Sequence, residues 1–192
     1  EIATAGYYSV LLDDYQIQAE LTATPRVAFQ RFTFPKGTDN HILFNIGNRQ
    51  GESGAVKDAY VTYTADGHIE GWVITMPEYV KKYQPGATVP LYFSAVLDRK
   101  PESYGSFHGN TQLADAKESK GTGAGMYFTF SNEQQEAVTA KIGLSYTSVE
   151  NARINLQTEA EGKTFEDAKE QAHQIWQEYL GRIEVETSKR EG

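Results

Sequence analysis

Val56-Lys57-Asp58-Ala59-Tyr60-Val61-Thr62-Tyr63-Thr64, then Ala65-Asp66-Gly67, then His68-Ile69-Glu70-Gly71-Trp72-Val73-Ile74-Thr75-Met76 is the stretch that decides the fold. Both flanking runs are rich in Val, Ile, Thr and aromatic residues with a two-residue period, which places alternate side chains on opposite faces of a strand. Asp-Gly between them tolerates the positive φ that a tight hairpin turn demands. The segment therefore reads as an antiparallel hairpin, and it sets the pattern for most of the chain.

The same signal recurs towards the N-terminus. Tyr8, Val10 and Leu12 share one face, Asp13-Asp14 turns the chain, and Ile17, Ala19 and Leu21 form the inward face of a second strand. Val27 and Phe29 then fall on one side while Phe32 and Phe34 fall on the other, so this strand either carries a bulge or is buried on both faces. Pro35 to Asn40 is a turn before a buried strand from His41 to Ile46. Towards the C-terminus, residues 77–88 hold two prolines and an adjacent lysine pair and read as a loop. Val89 to Leu97 and Tyr104 to Asn110 read as strands, 111–123 as a polar loop, and Met126 to Phe130 and Ala137 to Tyr146 as the last strands. The total is about ten strands of mainly antiparallel sheet.

Two helices follow. Ser148 can accept hydrogen bonds from the first free N–H groups of one, which offers Val149, Ala152, Ile154 and Leu156 for packing. Thr164 caps the second, Glu166 and Asp167 suit its positive end, and Gly181 stops it. Phe165, Ala168, Ala172, Ile175, Trp176, Tyr179 and Leu180 recur at spacings of three and four, an apolar stripe that must lie on something. Ile183 to Glu186 reads as an extended exit and 187–192 as a polar tail.

Composition narrows the function classes. With 192 residues, 39% hydrophobic and 23% charged, the chain suits one globular domain with a sizeable core. A net charge of −8 disfavours a nucleic-acid partner, which requires clustered Lys and Arg. No apolar run approaches the length that crosses a bilayer, and the lack of Cys excludes disulfides and thiolate metal sites. His41, His68, His108 and His173 show no ligand spacing, so no metal site is expected. Gly121-Thr122-Gly123-Ala124-Gly125 precedes a strand rather than a helix, which makes it a flexible turn and not a phosphate loop. Asp13-Asp14 and Glu133/Glu136 sit at turns, where carboxylates are solvated.

Several blocks in fixed order resemble one family. Gly6-Tyr7-Tyr8-Ser9-Val10 with Leu12-Asp13-Asp14, Ala19 to Val27, Arg31 to Pro35, Gly67-His68-Ile69-Glu70-Gly71-Trp72, Leu91 to Ala95, and Ser145 to Leu156 are together similar to the N-terminal β-domain of glycoside hydrolase family 92, the calcium-dependent exo-α-mannosidases. The resemblance implies an antiparallel β-sandwich of the supersandwich, galactose-mutarotase-like kind over 1–147, then a helical linker over 148–186. The linker leads to an (α/α)6 catalytic domain beyond Gly192. That domain would carry the general acid, the general base and the calcium, so neither catalytic residue nor cofactor is expected in this chain. Family members also have a segment before the Gly-Tyr-Tyr-Ser-Val strand, so the sandwich is expected to lack N-terminal strands. The loop after Trp72 differs from the family's Gly/aromatic/Cys pattern. Mannose-containing glycans are the implied partner, in a periplasmic or extracellular setting, with any signal peptide outside this chain.

Trp72, Phe107 and His108 are the candidates for facing a sugar or a neighbouring domain, because flat aromatic faces suit sugar rings. The bland alternative for each is packing. Phe165, Ile175, Trp176, Tyr179 and Leu180 are assigned to packing of the linker helix. Two further functions stay open: a stand-alone carbohydrate-binding module, and a mutarotase-like sugar epimerase, which needs a His and a carboxylate on one concave surface.

Overall fold

The computed structural model describes residues 1–37, 40–49, 54–131 and 136–183. Among the described residues thirteen strands and three helices succeed one another as β1 (Ile2–Thr4), β2 (Tyr7–Leu12), β3 (Ile17–Ala23), β4 (Val27–Thr33), β5 (Asn40–Asn45), β6 (Ala55–Tyr63), β7 (Ile69–Met76), α1 (Glu78–Tyr83), β8 (Val89–Leu97), β9 (Ser103–His108), β10 (Thr111–Ala114), β11 (Glu118–Lys120), β12 (Ala124–Phe130), β13 (Ala137–Ser145), α2 (Val149–Ala160) and α3 (Phe165–Leu180). Every strand pair is antiparallel. A nine-stranded sheet runs β1-β2-β3-β4-β13-β8-β7-β6-β11, and a four-stranded sheet runs β10-β9-β12-β5.

The hairpin expected around Asp66-Gly67 is β6–β7, with Gly67 at φ +84° and a register irregularity between Val56 and Asp58. Between the two sheets lies the main core, built from Phe34, Ile42, Phe44, Val61, Ile69, Phe93, Met126, Phe128, Phe130 and Val138. Phe128 meets two of its rings edge to face, Phe44 at 5.8 Å and 84° and Tyr63 at 5.2 Å and 75°, while Phe44 stacks on Phe93 at 6.3 Å and 17°.

The two helices form a third layer on the other face of the large sheet. Strand β4 explains the parity change in its sequence: Val27 and Phe29 face α2 and α3, while Phe32 and Phe34 join the main core. Its register with β3 and β13 is continuous, so double burial, and not a bulge, is the answer. Gly143 on β13 lets α2 approach; a Cβ there would stand 2.4 Å from the Ala152 carbonyl oxygen. Lys141 on the same strand donates to the carbonyls of Ala160 at 3.2 Å and Lys163 at 2.5 Å, so a cation closes the negative end of α2. Both N-terminal caps form as expected. Ser148 accepts from the Asn151 N–H, and Thr164 makes a reciprocal capping box with Asp167.

Three readings need correction. Residues 77–88 are not all loop, because Glu78–Tyr83 is a short helix that buries none of its residues. The polar stretch 111–123 contains β10 and β11. Both are edge strands of three or four residues; β10 is exposed on each face and β11 buries only the polar Ser119, so neither shows the apolar alternation that reveals a strand. Strand β1 was missed for the same reason, being exposed throughout. Part of the turn before β5, Glu133 and the exit beyond Ile183 fall outside the described residues.

Candidate functional site

Three arginine–carboxylate clusters fasten the helical layer to the sheet. Arg31 on β4 grips Glu20 with two hydrogen bonds, of 2.7 and 2.8 Å, and reaches Glu166 at the start of α3 at 2.5 Å. Its guanidinium also lies 4.2 Å over the Phe165 ring. Arg153 on α2 bonds Glu70 and Asp66 of the β6–β7 hairpin, each at 2.7 Å. Glu159, buried near the end of α2, accepts from Thr24 Oγ1 at 2.6 Å, Arg26 N at 2.9 Å and Arg26 Nε at 2.6 Å.

These contacts set the charge state of the carboxyls. The Arg31 hydrogen bond holds Glu20 below its ordinary value. For Glu159, burial pushes the carboxyl up, but the bonds from Thr24 and Arg26 outweigh it and the net shift is downward. A depressed carboxyl stabilises the fold above its unfolded value, and that contribution disappears as pH falls through the folded value. Glu159→Gln is therefore expected to lose about 1–2 kcal/mol at pH 7, little of it Coulombic because Arg26 is more than half exposed. Urea unfolding at pH 7 and pH 3 checks this. The two proteins should differ at pH 7, and the difference should shrink as pH falls below the ordinary carboxylate range.

The sugar-facing candidates do not converge. Trp72 lies on the helix-side face of the large sheet, since its neighbours in alternation, Gly71 and Ile69, face the main core. It stands in a row: Tyr60 is directly opposite on β6, with rings 6.4 Å apart and tilted 31°, and Tyr92 is directly opposite on β8. All three are half-buried. Phe107 lies on the outer face of the small sheet with its ring across Gly125, where a Cβ would meet the ring at 2.0 Å. His108 is exposed at the end of the same strand. Trp72 and Phe107 thus occupy opposite outer faces of the molecule.

The histidines are also apart. His68 Nδ1 lies 3.1 Å from Ser94 Oγ, and that hydroxyl donates to Glu70 at 2.8 Å, so the oxygen is left to accept from the imidazole. This is the reverse of the bond by which a histidine activates a serine. His68 precedes β7 of the large sheet, and His108 ends β9 of the small sheet. Among the described residues no group of three or more His, Asp or Glu could hold a metal ion, and no helix is long and apolar enough to cross a membrane.

The stripe on α3 divides in two. Phe165 and Ala168 are buried in one cluster with Val27, Phe29 and Leu156, and Ala172 is buried beside Gly6. Beyond them Ile175 is 38% exposed, Trp176 48%, Tyr179 59% and Leu180 61%. Trp176 rests one edge near Gly6, in the β1–β2 turn, and leaves the rest of its ring uncovered. Sequence periodicity marked these residues as one apolar face but could not show where the sheet beneath them ends.

Comparison with known proteins places this fold. The model of the "Glycosyl hydrolase family 92 N-terminal domain" matches residues 1–145. A solved family GH92 α-mannosidase from Bacteroides thetaiotaomicron superposes with a TM-score of 0.82 at 23% identity, covering 95% of this chain and 24% of that one. A family GH92 inverting mannosidase from Bacteroides thetaiotaomicron VPI-5482 gives 0.79 at 22% identity, covering 98% and 24%. The GH92 family glycosyl hydrolase ccman5 gives 0.74 at 25% identity, covering 90% and 22%. The chain spans about a quarter of the length of these structures, and their coverage of this chain extends past residue 145, so the α2–α3 layer belongs to the shared fold. No curated protein matches. An antiparallel two-sheet sandwich with two capped C-terminal helices, matched by the family's own model over residues 1–145, makes this chain a member of glycosyl hydrolase family 92, carrying that family's N-terminal domain.

Proposed function

We propose that this chain is the non-catalytic N-terminal domain of an α-mannosidase acting on α-1,2-linked mannose. In this reading it packs against an (α/α)6 catalytic domain of the same polypeptide and walls one side of the active site. Calcium and both catalytic carboxyls then belong to that domain, the substrate is a mannose-bearing glycan such as an N-glycan, and the setting is periplasmic or extracellular. One observation carries the proposal: the last turns of α3 present Ile175, Trp176, Tyr179 and Leu180 uncovered, in a chain spanning a quarter of the mannosidases that share its fold. Contiguous exposed apolar surface of this kind marks an interface.

The test is Trp176→Asp combined with Leu180→Asp in the whole polypeptide. Trp176 is 48% and Leu180 61% exposed in this domain, so residues 1–192 alone should stay folded and lose about 1–2 kcal/mol. In the whole polypeptide the two charges would be buried at the interface. Mannosidase activity should fall at least about tenfold. Unchanged activity and a single unchanged thermal transition would remove the stripe as the docking face.

The row of Tyr60, Trp72 and Tyr92 favours a second reading, a carbohydrate-binding module, since adjacent aromatic rings can stack on sugars. Saturable calorimetric binding of α-mannobiose that disappears in Trp72→Ala would support it over the scaffold role.

A further inference from the structure

The two sheets are unequal, nine strands against four, and the mismatch is concentrated along one strand. Strand β5 ends the small sheet with no neighbour on its outer side among the described residues. The Ile46 N–H donates to the carbonyl of Ala124, the residue directly opposite it, at 3.2 Å. In an antiparallel ladder bonding alternates, so Asn40, Ile42 and Phe44 point their backbone groups at β12, and His41, Leu43 and Asn45 point theirs outward.

The other sheet edges are blunted. Strands β1 and β11 have three residues each, β11 carrying Glu118 and Lys120, and β10 has four. Short length and charge are the usual protection of an edge against pairing. Strand β5 has neither: it is six residues long, Asn40-His41-Ile42-Leu43-Phe44-Asn45, with no Lys, no Pro and no acidic group. Beside it the inner face of the large sheet lies open. Two cavities of about 270 and 420 Å³ flank β5, one reaching Ile17 and Phe32, the other Leu91 and Leu144. Both are lined by Phe44 and Ile142, which makes them two ends of one apolar trench.

We propose that an extended segment of the same polypeptide, from outside residues 1–192, pairs with the free edge of β5 as a fifth strand of the small sheet. Its inward side chains, at every second position, are apolar and fill the trench over Ile142; its backbone takes up the outward N–H and C=O groups of His41, Leu43 and Asn45. The source of the strand follows from length, because about three quarters of each solved mannosidase of this fold lies beyond what this chain covers. The proposal rests on the reading of this chain as one domain of a longer mannosidase.

Residue-resolved amide hydrogen exchange in the whole polypeptide tests it, with mannosidase activity measured on the same sample. If β5 is paired on both sides, the amides of His41, Leu43 and Asn45 should exchange as slowly as those of Ile42 and Phe44, within about tenfold, and should stay so on tenfold dilution. A fast–slow alternation, with His41, Leu43 and Asn45 unprotected, overturns the proposal. Protection that disappears on dilution also overturns it, since the strand then comes from a second copy. Either failure in a polypeptide that still releases mannose would sink the added strand and leave the domain reading standing. Absence of mannosidase activity with uniform protection would do the reverse.

Discussion

Phe29→Ala should destabilise this domain by about 3–5 kcal/mol, the range for truncating a fully buried aromatic ring. Phe29 has no exposed surface and sits where the large sheet meets both helices, in a cluster with Val27, Leu156, Ala160, Phe165 and Ala168. Lys141, whose ammonium group ties the end of α2 to the sheet, lies 5.6 Å from the ring. Truncation therefore opens a void beneath two elements at once, and the rigid strands on either side of β4 limit collapse into it. A domain of this size has about 5–15 kcal/mol of stability in all, so the loss is a large share. The urea midpoint, followed by far-ultraviolet circular dichroism, should fall sharply with little change in slope. Ile154→Ala is the control. Its side chain is more than half exposed on α2, and its effect should stay within about 0.5 kcal/mol. Equal effects of the two substitutions would mean that the helices are not docked through Phe29.

How much of this was legible in the sequence depends on whether the signal was local. The β6–β7 hairpin announced itself because alternation and an Asp-Gly turn lie within 21 consecutive residues, Val56 to Met76. Both helix caps were readable for the same reason: Ser148 with Asn151, and Thr164 with Asp167, are three residues apart. The double burial of β4 showed in its sequence as a parity change, although only the layers on each side distinguish it from a bulge. Strands β1, β10 and β11 left no trace, because an exposed edge strand imposes no polarity pattern on its residues. The clamps on the helical layer were invisible too, since Glu159 and Arg26 are 133 residues apart. Trp72 and Phe107 were read as aromatic faces open to a partner, yet sequence could not reveal that they lie on opposite sides of the molecule. For α3, periodicity gave the whole stripe from Phe165 to Leu180. Which half meets the sheet depends on where β2, β3 and β4 stop beneath it.

The second large expectation is that residues 1–192 alone release no mannose. Inverting glycoside hydrolysis needs a carboxylic acid that can give up a proton, and a carboxylate about 6.5–9.5 Å away to activate water. The acid in such a pair has its pKa raised. The arginine-bound carboxyls of this domain are built the other way: Glu20 and Glu159 are held below their ordinary values, and Glu20, Glu70 and Glu159 each accept hydrogen bonds from an arginine that fastens the fold. Glu20 and Glu159 therefore remain anionic at neutral pH and have no proton to donate. Their task is to hold α2 and α3 in place. In doing so they fix the position of the uncovered Trp176–Leu180 face, on which the proposed catalytic domain would sit.

Mannose release from an α-1,2-linked mannobioside, with calcium present, is the most direct measurement of that claim, made on residues 1–192 alone and on the polypeptide that also contains the catalytic domain. The account predicts release by the longer polypeptide and, for residues 1–192 alone, a rate indistinguishable from buffer. Release by residues 1–192 alone, at a rate that survives further purification, would contradict it.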